Sequence, residues 1–147
     1  MVRVKNRRVI ELRTTESADV AQRTIAFRRW YRAELRALVP ALLAQWEQRL
    51  GVKASGWGIR RMKTKWGSCN SKARRVWLNL ELAKKPPGCL EYVIVHELVH
   101  LLAPHHDERF QVLMDRCLPR WKQYRKELNA APLAAETWVH PRVGPRH

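Results

Sequence analysis

Cysteine is scarce in this chain: Cys69, Cys89 and Cys117 are the only three in 147 residues, widely spaced and without a C-x-x-C pair. That spacing excludes a disulfide framework and a zinc ribbon, and it points to a reducing compartment, the cytoplasm. Long apolar runs are lacking too. No stretch approaches the roughly 18 residues that a membrane-spanning helix requires. The start, Met1-Val2-Arg3-Val4-Lys5-Asn6-Arg7-Arg8, is too charged for a signal peptide and has no apolar segment. Internal repeats are absent, and the length fits one compact domain with a single core.

Acidic residues are the third shortage. There are 13 Asp+Glu against 29 Lys+Arg, a formal net charge of +16. The excess is uneven: residues 1–85 hold 21 basic against 6 acidic residues (+15), whereas residues 86–147 hold 8 against 7 (+1). Such a field favours polyanions, nucleic acid first among them. A solvated basic surface that keeps the protein soluble accounts for it equally well, since no basic-aromatic nucleic-acid motif is visible in the sequence.

What the chain does have is concentrated in Tyr92-Val93-Ile94-Val95-His96-Glu97-Leu98-Val99-His100-Leu101-Leu102-Ala103-Pro104-His105-His106. This run holds H-E-x-x-H among apolar residues. On a helix, His96 and His100 lie on one face, one turn apart, and two neutral imidazoles so placed can share a Zn²⁺ ion. Glu97 is then placed to act on a water at that metal. Pro86-Pro87-Gly88 signals the helix start, Leu90, Ile94, Leu98 and Leu101 form a separate apolar face, and Ala103-Pro104 ends the helix. The competing explanation, a histidine pair in a plain core helix, leaves Glu97 without a purpose.

Ahead of this helix the pattern falls into two parts. Residues 1–13 alternate loosely and read as a short strand or arm. A helical pattern begins after Thr15-Glu16-Ser17, with Thr15 or Ser17 as N-cap. It carries Val20, Phe27, Tyr31, Leu35, Leu38, Leu42 and Trp46 on one face. Pro40 should break or kink it, and Gly51 should close the second piece. Arg28, Arg29, Arg32 and Arg36 fall largely off the apolar face. From Ala54 to Leu82 the period becomes two. Ile59–Trp66 alternates, Asn70–Arg74 has turn chemistry, and Val76, Leu78, Leu80 and Leu82 share a face. A small antiparallel sheet of two or three strands is expected here. Beyond the H-E-x-x-H helix, Asp107 can cap a helix bearing Phe110, Leu113, Met114 and Cys117. Pro119 opens another with Trp121, Tyr124 and Leu128. The proline-containing tail, residues 130–147, has little periodicity, although Trp138 can pin part of it.

A catalytic zinc takes three protein ligands and leaves one position open for water. His106, beyond a proline-containing turn, is the favoured third ligand. His105 would point elsewhere, and Cys69 could serve from the sheet, as in the deformylase type of H-E-x-x-H enzyme. The metzincin spacing also fits, but Ala103 stands at that group's glycine position and no Met-turn is evident.

Taken together, Lys63-Thr64-Lys65-Trp66-Gly67-Ser68-Cys69, Trp77-Leu78-Asn79-Leu80, Glu91–Leu101, His106 and Phe110 resemble the YgjP-like metal-dependent hydrolases. These are related to the SprT-like zinc metallopeptidases. The likeness runs from about Arg29 to Asn129. It implies an α+β, zincin-like fold: an N-terminal helix or helix pair, the small sheet, the H-E-x-x-H helix and C-terminal helices, spanning residues 14–129. It implies zinc held by His96, His100 and His106, Glu97 as general base, and an edge strand able to pair with an extended peptide or protein substrate. Two departures stand out: only about a dozen residues stand in place of the family's leading β-rich segment, and the zinc ribbon of some SprT-like proteins is absent; His105 also stands where the family often has Asn.

The expected activity is zinc-dependent peptide hydrolysis, extending to proteins associated with nucleic acid. Two other classes stay open: a nucleic-acid-binding module with a secondary or silent metal site, and a hydrolase of another amide. The oxyanion donor is unassigned among His105, Tyr92 and a basic side chain.

Overall fold

The computed structural model describes residues 19–130 and residue 133. The expected arm (1–13), the caps Thr15 and Ser17, and the tail with Trp138 therefore lie outside the described residues, apart from Ala130 and Leu133.

The first helix, α1 (Asp19–Leu50), is 32 residues long and runs through Pro40. The expected break does not occur. Proline removes one i→i−4 hydrogen bond and crowds the carbonyl of Arg36. Both Arg36 and Pro40 face solvent, however, where water can satisfy that carbonyl. Val39 and Leu43 on the opposite side are buried and hold the backbone in register. The buried stripe is Tyr31, Leu35, Val39, Leu43 and Trp46. This corrects the sequence-derived face at two positions: Val20 and Leu38 are 69% and 47% exposed. The arc of steps by four centres on Leu35, Val39 and Trp46, and leaves Leu38 at its edge. The helix ends before Gly51, as expected.

Next come β1 (Gly56–Arg60), β2 (Gly67–Asn70) and β3 (Arg75–Asn79), which form one sheet in the order β1-β3-β2. The pairing of β2 with β3 is antiparallel, but β1 pairs with β3 in parallel. The sheet is mixed, not purely antiparallel. The reason lies in residues 61–66, which were expected to continue a strand. They form a loop that carries the chain past β3 and sets β2 on its far edge.

Asn79 holds that loop. Its side-chain N–H groups donate to the carbonyls of Met62 (2.9 Å) and Lys65 (2.7 Å), and its backbone N–H donates to Trp66 O (3.0 Å). Its Oδ1 accepts from Glu81 N–H at 3.0 Å and so caps a 3-10 helix, Leu80–Lys84. One fully buried amide thus makes three of its four possible hydrogen bonds in joining loop, strand and helix. The β2–β3 turn behaves as its composition predicts, with Asn70 Oδ1 accepting from Lys72 N–H and Ala73 N–H. Val76, Leu78, Leu80 and Leu82 all point into the core, although the last two belong to the 3-10 helix.

Helix α2 (Pro87–Val99) starts with proline in its first turn and is buried along nearly its whole length. It packs against α1, β2, β3 and the two helices that follow, α3 (Glu108–Cys117) and α4 (Trp121–Ala130). It stops at Val99, four residues before Ala103. The chain then tightens through Leu101 N–H to Leu98 O and Leu102 N–H to Val99 O. Asp107 caps α3 as expected, accepting from Phe110 N–H at 3.2 Å. Across the core, Trp46 Nε1–H donates to Glu91 Oε2 at 2.7 Å, tying α1 to α2.

Asn79→Ala should lower the unfolding free energy by about 2–4 kcal/mol, because it leaves the carbonyls of Met62 and Lys65 unsatisfied. Urea denaturation measures this; a loss below about 0.5 kcal/mol would show that the loop does not depend on Asn79.

Candidate metal centre

Helix α2 gives His96 and Glu97 from its last full turn, and His100 as its C-cap. The tightened turn and the Asp107 cap bring His106 back over them. The three imidazoles converge: one nitrogen from each of His96, His100 and His106 lies within 4.8 Å of the other two. His100 Nε2 and His106 Nε2 are 2.9 Å apart. His96 and His100 are buried and His106 half-buried. Among the described residues Cys69 is not part of this group.

Two of the histidines are also oriented from behind. His100 Nδ1 is 3.3 Å from Ala103 O; with its hydrogen on Nδ1 it donates to that carbonyl and keeps a lone pair on Nε2. His96 Nδ1 is 3.1 Å from Glu97 Oε2. Phe110 touches all three rings, with centroids 5.2 Å from His96, 4.8 Å from His100 and 4.7 Å from His106. Tyr92, one turn before His96, meets its ring edge-on at 5.8 Å and stacks with Trp121 and Tyr124. An apolar floor thus fixes the polar groups.

The electrostatics favour a cation. Burial, with the fields of His106 and Arg125, holds His96 well below its ordinary pKa. Burial, reinforced by its histidine neighbours, pushes His100 down to about 3. Neutral imidazoles with available lone pairs are what zinc binding needs. Glu97 moves the other way: burial raises it to about 7, with His100 and Lys65 pulling it back. Its Oε1 is buried and accepts no hydrogen bond from a described residue. Three imidazole nitrogens beside one such carboxylate oxygen fit a metal ion and a water molecule.

Gly67 was quoted in the sequence motif without a role. In the structure, a Cβ there would stand 2.5 Å from Val93 Cγ1 and 3.1 Å from Glu97 Oε2. Only a hydrogen atom lets β2 approach α2 at the carboxylate. Two residues on, and on the same face of β2, Cys69 has its thiol pushed up to about 12, by burial first and by Glu97 second. Of the groups considered as oxyanion donors, Tyr92 is fully buried beneath His96 whereas His105 is exposed.

Gly67→Ala should destabilise the protein by about 1–3 kcal/mol through overpacking against Val93. It should also displace Glu97. A thermal melt that matches the wild type would show that β2 and α2 have slack at this point.

The fold has counterparts among known proteins. The profile of the YgjP-like metallopeptidase domain matches residues 2–131. The structure resembles the crystal structure of the metallopeptidase zymogen abylysin from Pyrococcus abyssi. The TM-score is 0.61 at 21% identity, covering 69% of this chain and 100% of that one. It also resembles the metallopeptidase zymogen jannalysin from Methanocaldococcus jannaschii, with a TM-score of 0.52 at 20% identity over 59% of this chain and 89% of that one. At these identities the likeness concerns the fold, which is α+β and similar to that of zincin-like metallopeptidases. A comparison with curated proteins finds no match. Because the family profile spans nearly the whole described region, the chain belongs to the YgjP-like metallopeptidase family and is a metal-dependent peptidase.

Proposed function

We propose that the chain is a zinc peptidase in which His96, His100 and His106 hold the ion and Glu97 is the general base. The observation that carries this reading is the convergence of three imidazole nitrogens within 4.8 Å, beside a buried carboxylate oxygen that accepts no hydrogen bond from a described residue. A bound zinc ion supplies Lewis acidity, lowering the pKa of water and polarising the scissile carbonyl. The chain's own residues do the rest. Glu97 accepts the proton of the attacking water and returns it to the departing amine. Phe110 and Tyr92 exclude bulk water and keep the imidazoles from turning.

Among the described residues β2 is an edge strand, and its Gly67 lies against Glu97. Its unpaired backbone groups support binding of an extended peptide as an added strand beside the carboxylate. The free thiols of Cys69, Cys89 and Cys117 support action in a reducing compartment, the cytoplasm.

Glu97→Gln should cut hydrolysis of an unfolded protein such as casein by at least about 100-fold while metal content stays unchanged. Hydrolysis close to the wild-type rate would sink the base assignment. Elemental analysis tests the ligands separately. His106→Ala should lose most of its bound metal and Cys69→Ala should keep it; the reverse would replace His106 by Cys69. Removal of metal by a chelator should abolish turnover and lower the melting temperature, and zinc should restore both.

A further inference from the structure

On the opposite edge of the sheet, α1, β1 and β3 enclose a cleft of about 570 Å³. Its walls include Arg36 from α1, Trp57 from β1, and Arg75 and Trp77 from β3. The Trp77 indole leans over Gly58, its register partner on β1, where a Cβ would collide with the ring. Arg60 stacks its guanidinium 3.7 Å from the centre of that indole, and Arg75 lies 4.6 Å from it. Arg75 also donates to the carbonyl of Trp57 at 3.1 Å, which fixes its plane. A neighbouring arginine, Arg32, donates to Ile59 O at 3.1 Å and anchors α1 to β1.

None of Arg36, Arg60 and Arg75 pairs with a carboxylate among the described residues. Arg36 and Arg75 therefore line the cleft, and Arg60 rests on the Trp77 indole at its side, with no carboxylate partner among the described residues and with Arg36 and Arg60 exposed. Cation–π contact explains why Arg60 and Arg75 rest on Trp77. It does not explain why Arg36 is added to a site that already repels it. An anionic occupant does.

We infer that this Arg36–Arg60–Arg75 cleft, with Trp57 and Trp77, binds single-stranded nucleic acid. The chemistry selects that occupant. Guanidinium forks pair with phosphate oxygens. Indole and stacked guanidinium planes offer flat surfaces to bases whatever their sequence. An acidic peptide would use the charges but not the rings. A duplex would keep its bases stacked on one another and out of reach of the indoles. The cleft sits in the half of the chain that carries +15 of the +16 net charge, which favours a polyanion. No residue of the metal centre contributes to it, so the inference stands apart from the peptidase reading.

Fluorescence anisotropy with a fluorescein-labelled oligodeoxythymidine tests this on the full chain. Binding should be detectable at low salt and fall steeply as salt rises. The double variant Arg36→Ala/Arg60→Ala should weaken binding by about tenfold or more and flatten the salt slope by about two. Its metal content and melting temperature should stay as in the wild type. Trp77→Leu should weaken binding about tenfold with little change in slope; if that variant does not fold, the arginine pair decides alone. Absence of binding at low salt, or an unchanged salt slope in the double variant, would overturn the proposal. So would a glutamate homopolymer that competes as well as the oligonucleotide, which would make the cleft an acidic-peptide site. Tighter binding of duplex than of single strand would overturn the stacking role.

Discussion

Two imidazoles and a carboxylate at the C-terminal end of a buried helix are the constraint on which this structure depends. His96, Glu97 and His100 are all buried among apolar residues of α2. Burying such groups unpaired is costly, and most folds avoid it. Here the cost is met by geometry. The histidines are kept neutral, Ala103 O and Glu97 each face a ring nitrogen, and Phe110 fills the space between the rings. Gly67 then brings the sheet within reach of the carboxylate. Remove any of these supports and the remaining polar groups would lose either their partners or their dryness.

That dependence explains why one part of the molecule was legible in the sequence and another was not. His96, Glu97 and His100 could be read from local spacing, because helical periodicity alone fixes which residues share a face. The Pro87 start, the Asp107 cap and the Asn70–Arg74 turn were legible for the same reason: each depends on residues a few positions apart. The strand order was not. Alternation in Ile59–Trp66 marks residues that can form a strand, but only the non-local bonds from Asn79 decide that residues 61–66 become a loop. Pro40 misled in the opposite direction, since packing of Val39 and Leu43 outweighed a local preference for a break.

The arginine cleft was illegible in another way. Its residues come from positions 36, 57, 60, 75 and 77, and no window of the sequence holds them together. The composition announced a basic half, yet charge alone cannot separate a scattered solvated surface from a built site. What separates them is the parallel register of β1 on β3, which sets Gly58 opposite Trp77 and Arg60 opposite Asn79.

The strand order also carries a kinetic consequence. The β2–β3 pair is a hairpin joined by a tight turn, and such units close in about 1–10 μs. The parallel partner β1 cannot zip onto β3 from that turn; it must wait until residues 61–74 have been laid down as loop, strand and turn. The edge that bears Gly67 is thereby the early edge of the sheet, and the edge that bears Trp57 the late one. Destabilising the late edge should speed unfolding more than it slows folding, whereas changes in the hairpin should act on the folding rate.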